Sequence, residues 1–369
     1  MWTKIVPIAA FITSVSLTGG TSYAAPTSPV GGEALGSHGL VSPDGVKKPP
    51  KSKATSYVIA DVTTGNVLAA KDAHGRYLPA STLKALTALT LIPKLDKSRE
   101  IRPSRNACNQ EGSAVGLSVK AKYKVDDLFK GLMMSSGNDA AMALAETNGG
   151  LDKTMRDMNA EAKRLQANDT VAKTPSGLDK PGQSSSAYDL ALIARAGLAN
   201  PDFKRYISTR TAKFPAPKGK HYEISNHNKL LWRYKGMIGV KNGWTSKARA
   251  SFVGAATRGG HTIVVSIMRH EGFFWDEVAK LLDWGFSVRG KATPVGKLVD
   301  PLPEQQAAPQ PQASTSVTPA AQPALLDRAA SEQTSSTRTI GAIVIGGGLL
   351  FGLIWLAYGM RRKRGRSRL

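Results

Sequence analysis

Hydrophobic positions along the chain fall into three regimes. Between residues 55 and 289 they recur at strand or helix spacing, broken by Gly, Pro, Asn and Ser. Residues 57–62 and 67–70 read as two strands joined by a turn at Thr64-Gly65-Asn66. An Ala- and Leu-rich stretch then predicts a helix that begins near Ser81 and runs to residue 91. After a polar, irregular piece (101–123), helices are expected over 125–134, 139–148 and 151–165. Residues 174–178 read as a turn. Residues 186–199 read as a helix capped by Ser186, with Asp189 completing an aspartate version of the capping box. Residues 203–214 lead through a short helix into a strand. A strand over 237–241 should end in a turn or bulge at Asn242-Gly243, followed by strands 251–257 and 261–268 and an amphipathic helix over 275–286. Strands at both ends with helices between them predict an α+β domain, an antiparallel sheet formed by the N- and C-terminal segments beside a helical subdomain.

Outside this region the pattern changes. Residues 1–25 have the layout of a secretory signal, with Lys4 before a short apolar run and small residues at Ser22-Tyr23-Ala24. Residues 26–53, rich in Gly, Pro, Ser and Lys, are expected to be a disordered spacer, with the folded domain over 54–290. Residues 291–338 become a Pro-, Ala-, Gln- and Ser-rich stalk. Residues 339–360 are expected to form one transmembrane helix, since 340–360 carry no charge and can span a hydrocarbon core of roughly 30 Å. The basic residues 361–369 should then remain on the cytoplasmic side, leaving the folded domain outside. A sorting signal that is later removed is the alternative reading of this end.

Charge narrows the partners. The 369 residues carry a formal net charge of +23, and the six basic residues of the last nine account for part of it, leaving +17. An anionic partner is implied: a membrane surface, an anionic wall polymer or nucleic acid. No nucleic-acid motif with interleaved aromatics is present, so no nucleic-acid partner is expected. The lone Cys108 excludes an internal disulfide and a cysteine zinc site, and the six histidines show no metal-ligand spacing. No metal or cofactor is expected.

The candidate chemistry lies in three short motifs. Ser81-Thr82-Leu83-Lys84 opens the first helix and places a serine and a lysine one turn apart on one face. That is the spacing of a nucleophile beside its base, close to a helix N-terminus that favours negative charge. Taken alone, it is also what an N-cap serine and a surface lysine would give. Ser136-Gly137-Asn138 follows 55 residues on, between two helices, and reads alone as a helix break with a cap. Lys241-Asn242-Gly243 follows 105 residues later, and reads alone as a strand ending in a turn. Their order and placement make the set specific where its members are not.

With these three motifs, with Asp139-Ala140-Ala141 after the second, and with Leu281-Leu282-Asp283-Trp284-Gly285-Phe286 near the end, residues 55–289 resemble the serine D-alanyl-D-alanine carboxypeptidases. These are low-molecular-mass penicillin-binding proteins with a β-lactamase-like fold. The resemblance implies that Ser81 attacks the carbonyl between the last two D-alanines of a peptidoglycan stem peptide and that a neutral Lys84 takes its proton. It implies that Ser136 relays a proton to the leaving D-alanine and that Asn138 binds the substrate amide and braces Lys84. The Ser81 and Trp244 amides would form the oxyanion hole, and Lys241 and Thr245 would hold the terminal carboxylate, within a substrate-binding run of Lys241, Asn242, Gly243, Trp244 and Thr245. β-Lactams should acylate Ser81. The expected location is the outer face of a bacterial cell membrane.

Two departures stand out. Asn242 occupies the middle of the third motif, where the family usually has threonine. An arginine often found before the last helix is replaced by Glu271-Gly272-Phe273-Phe274, with Arg249 or Arg269 as possible substitutes. The extra β-rich domain of some members is not evident. The alternatives are a serine β-lactamase, which needs a deacylating base although residues 167–178 contain no glutamate, and a catalytically weak wall- or penicillin-binding protein. A Ser-His-Asp hydrolase is unsupported, because no G-x-S-x-G elbow occurs.

Overall fold

The computed structural model describes residues 28–303. Its centre is a seven-stranded antiparallel sheet: β1 (Leu40–Val41), β2 (Ser56–Asp61), β3 (Asn66–Lys71), β4 (Met237–Thr245), β5 (Arg249–Arg258), β6 (His261–His270) and β7 (Gly296–Lys297). The order is β1-β3-β2-β6-β5-β4, with β7 also on β3. The N- and C-terminal segments thus share one sheet, as the pattern predicts. β2 pairs with β6 from Ser56↔Met268 to Asp61↔Ile263.

The two sheet faces bury different sets of residues, in the alternation that a strand imposes. Tyr57, Ile59, Phe252, Ile263 and Val265 pack under the closing helix α7 (Trp275–Val288) with Val278, Leu281 and Leu282. Val58, Ala60, Val253, Ala255 and Val264 face the helical layer. That layer contains α1 (Lys84–Leu91), α2 (Val125–Met133), α3 (Asn138–Thr147), α4 (Leu151–Arg164), α5 (Ala187–Ala199) and α6 (Pro201–Ser208). Because both faces are covered, β2 is buried throughout, and its middle, residues 57–60, reads as a continuous apolar run.

Three expectations need correction. Residues 28–53 are not a disordered spacer: Leu35 is fully buried, Leu40 and Val41 pair with Lys71 and Ala70, and the Trp284 Nε1–H donates to the Lys47 carbonyl at 2.7 Å. Scattered apolar side chains and backbone pairing compensate for the low hydrophobicity that suggested disorder. Nor does the folded body stop at residue 290, since β7 pairs with β3 and Leu298 is buried. Lastly, Asn242-Gly243 is no turn, because β4 continues through Thr245. The capping box forms in half: the Ser186 hydroxyl accepts from the Asp189 N–H, while the Asp189 carboxylate accepts instead from Thr170 Oγ1 and the Asp169 N–H.

Among the described residues, no helix is long and apolar enough to cross a membrane. The expected signal (1–25), the membrane helix and its basic tail lie outside the described residues, as does most of the stalk.

Candidate active site

The site is built where α1 meets β4. Residues Ala80–Leu83 form one 3₁₀ turn that runs directly into α1, so the helix starts later than the sequence suggests. The tighter turn nevertheless keeps Ser81 and Lys84 on one face, since side chains three apart eclipse in it. Ala80 stands at φ 49° and Ser136 at φ 60°, a left-handed conformation that costs a non-glycine residue on the order of 1 kcal/mol. Ser136 opens the second motif, and Ala80 immediately precedes the first.

Lys84 is completely buried, and its Nζ lies 2.9 Å from Ser81 Oγ, 2.7 Å from Asn138 Oδ1 and 2.6 Å from the Ser176 carbonyl oxygen. Complete burial holds its pKa well below the ordinary lysine range; the Lys241 charge pushes the same way, and Asp139 opposes them. A neutral amine has two N–H donors and one lone pair. The two acceptor-only partners, Asn138 Oδ1 and the Ser176 carbonyl, take the N–H groups, which leaves the lone pair for the Ser81 hydroxyl proton. The geometry therefore suits a neutral Lys84. Burial is the larger of the two lowering causes.

Asn138 is fixed at the start of α3: its N–H donates to the Ser113 carbonyl at 2.7 Å and its Nδ2 to the Glu111 carbonyl at 2.5 Å. The Glu111 carbonyl thus takes one of the two amide N–H donors of Asn138. Ser136, 4% exposed, sits two residues earlier in the break between α2 and α3. The neighbouring Asp139 carboxylate accepts from four backbone N–H groups, of Val115, Gly116, Leu117 and Ala140, at 2.8–3.0 Å. This ties the irregular 111–117 segment to α3 and fixes the wall beside Asn138.

β4 supplies the opposite wall. A Cβ on Gly243 would lie 2.5 Å from the Ser81 nitrogen, so only glycine lets the strand approach the nucleophile this closely. Lys241 is 1% exposed on the same strand face as Gly243; its Nζ donates to the Asn242 carbonyl at 2.7 Å, and burial pushes its pKa down to about 7. Asn242 and Trp244 alternate to the other face. Their cross-strand partners are Phe252 and Ala250, both packed on the α7 side. The Asn242 side chain, expected among the substrate-binding groups, thus points away from Ser81, and the Trp244 side chain is 67% exposed. Thr245 returns to the Gly243 face.

A third wall was missed. Residues 174–178, read as a plain turn, carry the Ser176 carbonyl onto Lys84. Gly177, at φ 81°, lies so close to Ala80 that a Cβ would reach the Ala80 carbonyl oxygen. Asp179 Oδ1 then accepts from the Thr245 hydroxyl at 3.0 Å. Backbone carbonyls leave no residue-type signal, which is why Ser176 was not legible; the Gly177 turn was the only trace. Arg269, one candidate for the missing arginine, lies over the Tyr77 ring, 5.6 Å from its centroid.

A buried lysine bonded to a serine at the start of a helix, flanked by a Ser-x-Asn break and a Lys-x-Gly edge strand, is the site of a serine acyltransferase on an α+β DD-peptidase fold. The D-alanyl-D-alanine carboxypeptidase (peptidase S11) family model matches residues 44–272. The chain is 42% identical over 265 residues to D-alanyl-D-alanine carboxypeptidase DacB2 of Mycobacterium tuberculosis, covering 70% of this chain and 90% of that one. It is 31% identical to D-alanyl-D-alanine carboxypeptidase DacF of Bacillus subtilis, covering 64% of this chain and 62% of that longer one. In three dimensions it is similar to the crystal structure of D-alanyl-D-alanine carboxypeptidase from M. tuberculosis H37Rv, with a TM-score of 0.67, 40% identity and coverage of 70% of this chain and 99% of that one. It is also similar to the Streptomyces K15 DD-transpeptidase, with a TM-score of 0.62, 26% identity and coverage of 65% and 100%. The chain belongs to the D-alanyl-D-alanine carboxypeptidase family and is a serine hydrolase of that activity.

Proposed function

We propose that Ser81 is the nucleophile of this carboxypeptidase and that peptidoglycan stem peptides ending in D-Ala-D-Ala are its substrates. The observation that carries the reading is the Lys84 amine, buried and 2.9 Å from Ser81 Oγ with its two other partners both acceptors. Ser81 Oγ attacks the carbonyl carbon between the two D-alanines and its proton passes to Lys84 Nζ. The oxyanion is taken by the Ser81 and Trp244 N–H groups, where Gly243 keeps the two backbones close. The C–N bond breaks as the leaving amine receives a proton through Ser136, and free D-alanine departs. Water then adds to the ester, Lys84 again holding the proton, and the shortened peptide leaves. Asn138 braces Lys84, and the terminal carboxylate sits at Lys241 and Thr245. The β4 positions Asn242, Gly243 and Trp244 contribute backbone.

β-Lactams, which carry an acyl group and a carboxylate in the same relation, would acylate Ser81. No glutamate lies among residues 167–178 to speed deacylation, and Asp169 there is engaged by His74 and Arg76, which supports a penicillin-binding carboxypeptidase over a β-lactamase. We also propose that residues 1–25 export the chain and that 340–360 anchor it, with the catalytic body outside the bacterial membrane and its basic surface near anionic wall polymers. Fractionation of cells expressing the chain with and without residues 339–369 checks the anchor: loss of the membrane-bound fraction is expected only for the shortened chain.

Mass spectrometry tests the chemistry. Incubation with a peptide ending in D-Ala-D-Ala should release one D-alanine, and penicillin should leave an adduct on Ser81. Absence of both would return Ser81 to being a turn residue, and rapid penicillin turnover would favour the β-lactamase.

A further inference from the structure

The Thr245 hydroxyl is already committed. It donates its proton to Asp179 Oδ1 at 3.0 Å and accepts from the Ala248 N–H at 2.9 Å. A hydroxyl carries one proton, so Thr245 as placed has none to offer a second carboxylate. Thr245 lies on the β4 face that Gly243 turns toward Ser81, two residues further along. Asp179 reaches it from the loop that carries the Ser176 carbonyl to Lys84 and presses Gly177 onto Ala80. Among the described residues, Thr245 is the one hydrogen-bond partner of the Asp179 side chain. The loop behind it is held separately, by Gln183 Nε2 donating to the Leu178 carbonyl at 2.8 Å and the Gln183 N–H to the Lys180 carbonyl at 3.0 Å. Asp179 can therefore exchange its partner without dismantling the loop.

We infer that Asp179 is a specificity-determining residue of the carboxylate subsite: an internal carboxylate that occupies the Thr245 proton in the free protein, so that a ligand carboxylate binds in competition with it. This rests on the Ser81 acyltransfer reading and on Thr245 facing the substrate terminus. Its effect is confined to ligands that bring a carboxylate of their own. A ligand without one neither needs the Thr245 proton nor meets the Asp179 charge. Two carboxylates at one hydroxyl repel each other, and the repulsion at such distances is large enough to move rates several-fold even when well screened. The reverse role is physically distinct: were Asp179 a brace that aims Thr245 at the ligand, removing it would slow the same ligands.

The experiment compares second-order acylation rates of the full chain with benzylpenicillin, which has a carboxylate, and with its methyl ester, which lacks a charged one. Asp179→Ala should raise the rate for the acid about five-fold or more and leave the ester within about two-fold. Asp179→Asn, which keeps an acceptor of the same shape without the charge, should fall between the unsubstituted protein and the alanine variant. It decides the matter if the alanine variant does not fold. A slower acid reaction, or equal changes for acid and ester, overturns the inference while leaving Ser81 acylation in place. No adduct on the unsubstituted protein with either compound would overturn the acyltransfer reading, and this inference with it.

Discussion

Gly243 and Ser81 touch backbone to backbone: a methyl group on the glycine would lie 2.5 Å from the serine nitrogen and 3.0 Å from that of Thr82. The contact sets the width of the cleft at the reacting bond. Gly243→Ala must push β4 away from the 3₁₀ turn, a strain of roughly 1–3 kcal/mol for an overpacked site. If this falls on the transition state, acylation slows by about ten- to a hundred-fold. Penicillin acylation kinetics and a melting curve separate the two effects. The expected result is a large rate loss with a small change in melting temperature, because β4 is an edge strand.

Asn242 looked like the weak point of the third motif, and its position on β4 says otherwise. Its cross-strand partner is Phe252, on the α7 side of the sheet. Asn242→Thr should therefore change the acylation rate by less than about three-fold, in keeping with the small effects usual for substitutions away from a site. A gain of ten-fold or more would mean that the side chain reaches the cleft.

Lys84 and Lys241 give the reaction opposite pH requirements. Lys84 must be neutral and is held well below the ordinary lysine range by burial, then by the Lys241 charge. Lys241 attracts a carboxylate only when charged, and burial lowers it to about 7. Reaction with a carboxylate-bearing penicillin should therefore decline as pH rises through about 7, while the methyl ester should lack that decline. A shared alkaline decline would separate Lys241 from carboxylate binding.

His74 should make stability depend on pH. Its Nδ1 lies 2.8 Å from Asp169 Oδ2 and its Nε2 3.0 Å from the Val30 carbonyl, so both ring nitrogens face acceptors and both must donate. Burial lowers its pKa, but the bond and charge of Asp169, together with the Val30 bond and the Asp189 charge, outweigh that, and the net shift is upward. A raised folded-state pKa gives stability that is complete below the unfolded value of 6.5 and is lost as pH rises through the folded one. The melting-temperature difference between the unsubstituted protein and His74→Gln should thus be larger at pH 5.5 than at pH 9. A difference that does not vary with pH would mean that His74 holds Val30 without its charge.

Asp139 should matter for stability more than its position outside the motif suggests. Its carboxylate serves four backbone N–H groups in a fully buried setting. Asp139→Ala should cost about 2–5 kcal/mol, the range for leaving buried polar groups unpaired. Denaturant unfolding measures it, and a loss under 1 kcal/mol would show that water or a rearranged 111–117 segment replaces the carboxylate.

The three motifs were legible because each combines a side chain with a backbone requirement: Lys84 one turn from Ser81, Asn138 after a break, Gly243 beside a nucleophile. The strands and helices of the core followed from alternation and amphipathic spacing, to within a few residues. What could not be read was whatever acts through backbone alone. The Ser176 carbonyl on Lys84 has no residue signature, and residues 28–53 are held by pairing and by the Lys47 carbonyl rather than by an apolar stripe. Asn242-Gly243 misled for a related reason. The dipeptide that favours a hairpin turn here continues an edge strand, and the proximity of Ser81 explains the glycine.

The outer edge of β3 carries β1 and β7 end to end, and the Lys297 N–H donates to the Gly31 carbonyl at 2.8 Å, so the two ends of the described body lie side by side. Arg195 grips the Leu298 carbonyl at 2.8 Å and pairs with Asp300 at 2.9 Å, and the Tyr188 hydroxyl holds the Lys297 carbonyl. Mechanically, this is a strain relief. A pull applied at residue 303 loads the bond from the Leu302 N–H to the Arg164 carbonyl, at 2.7 Å, and then those contacts. It would peel β7 from one margin of the sheet, while β4 and the Ser81 turn stand at the opposite margin, five strands away, and carry no tension.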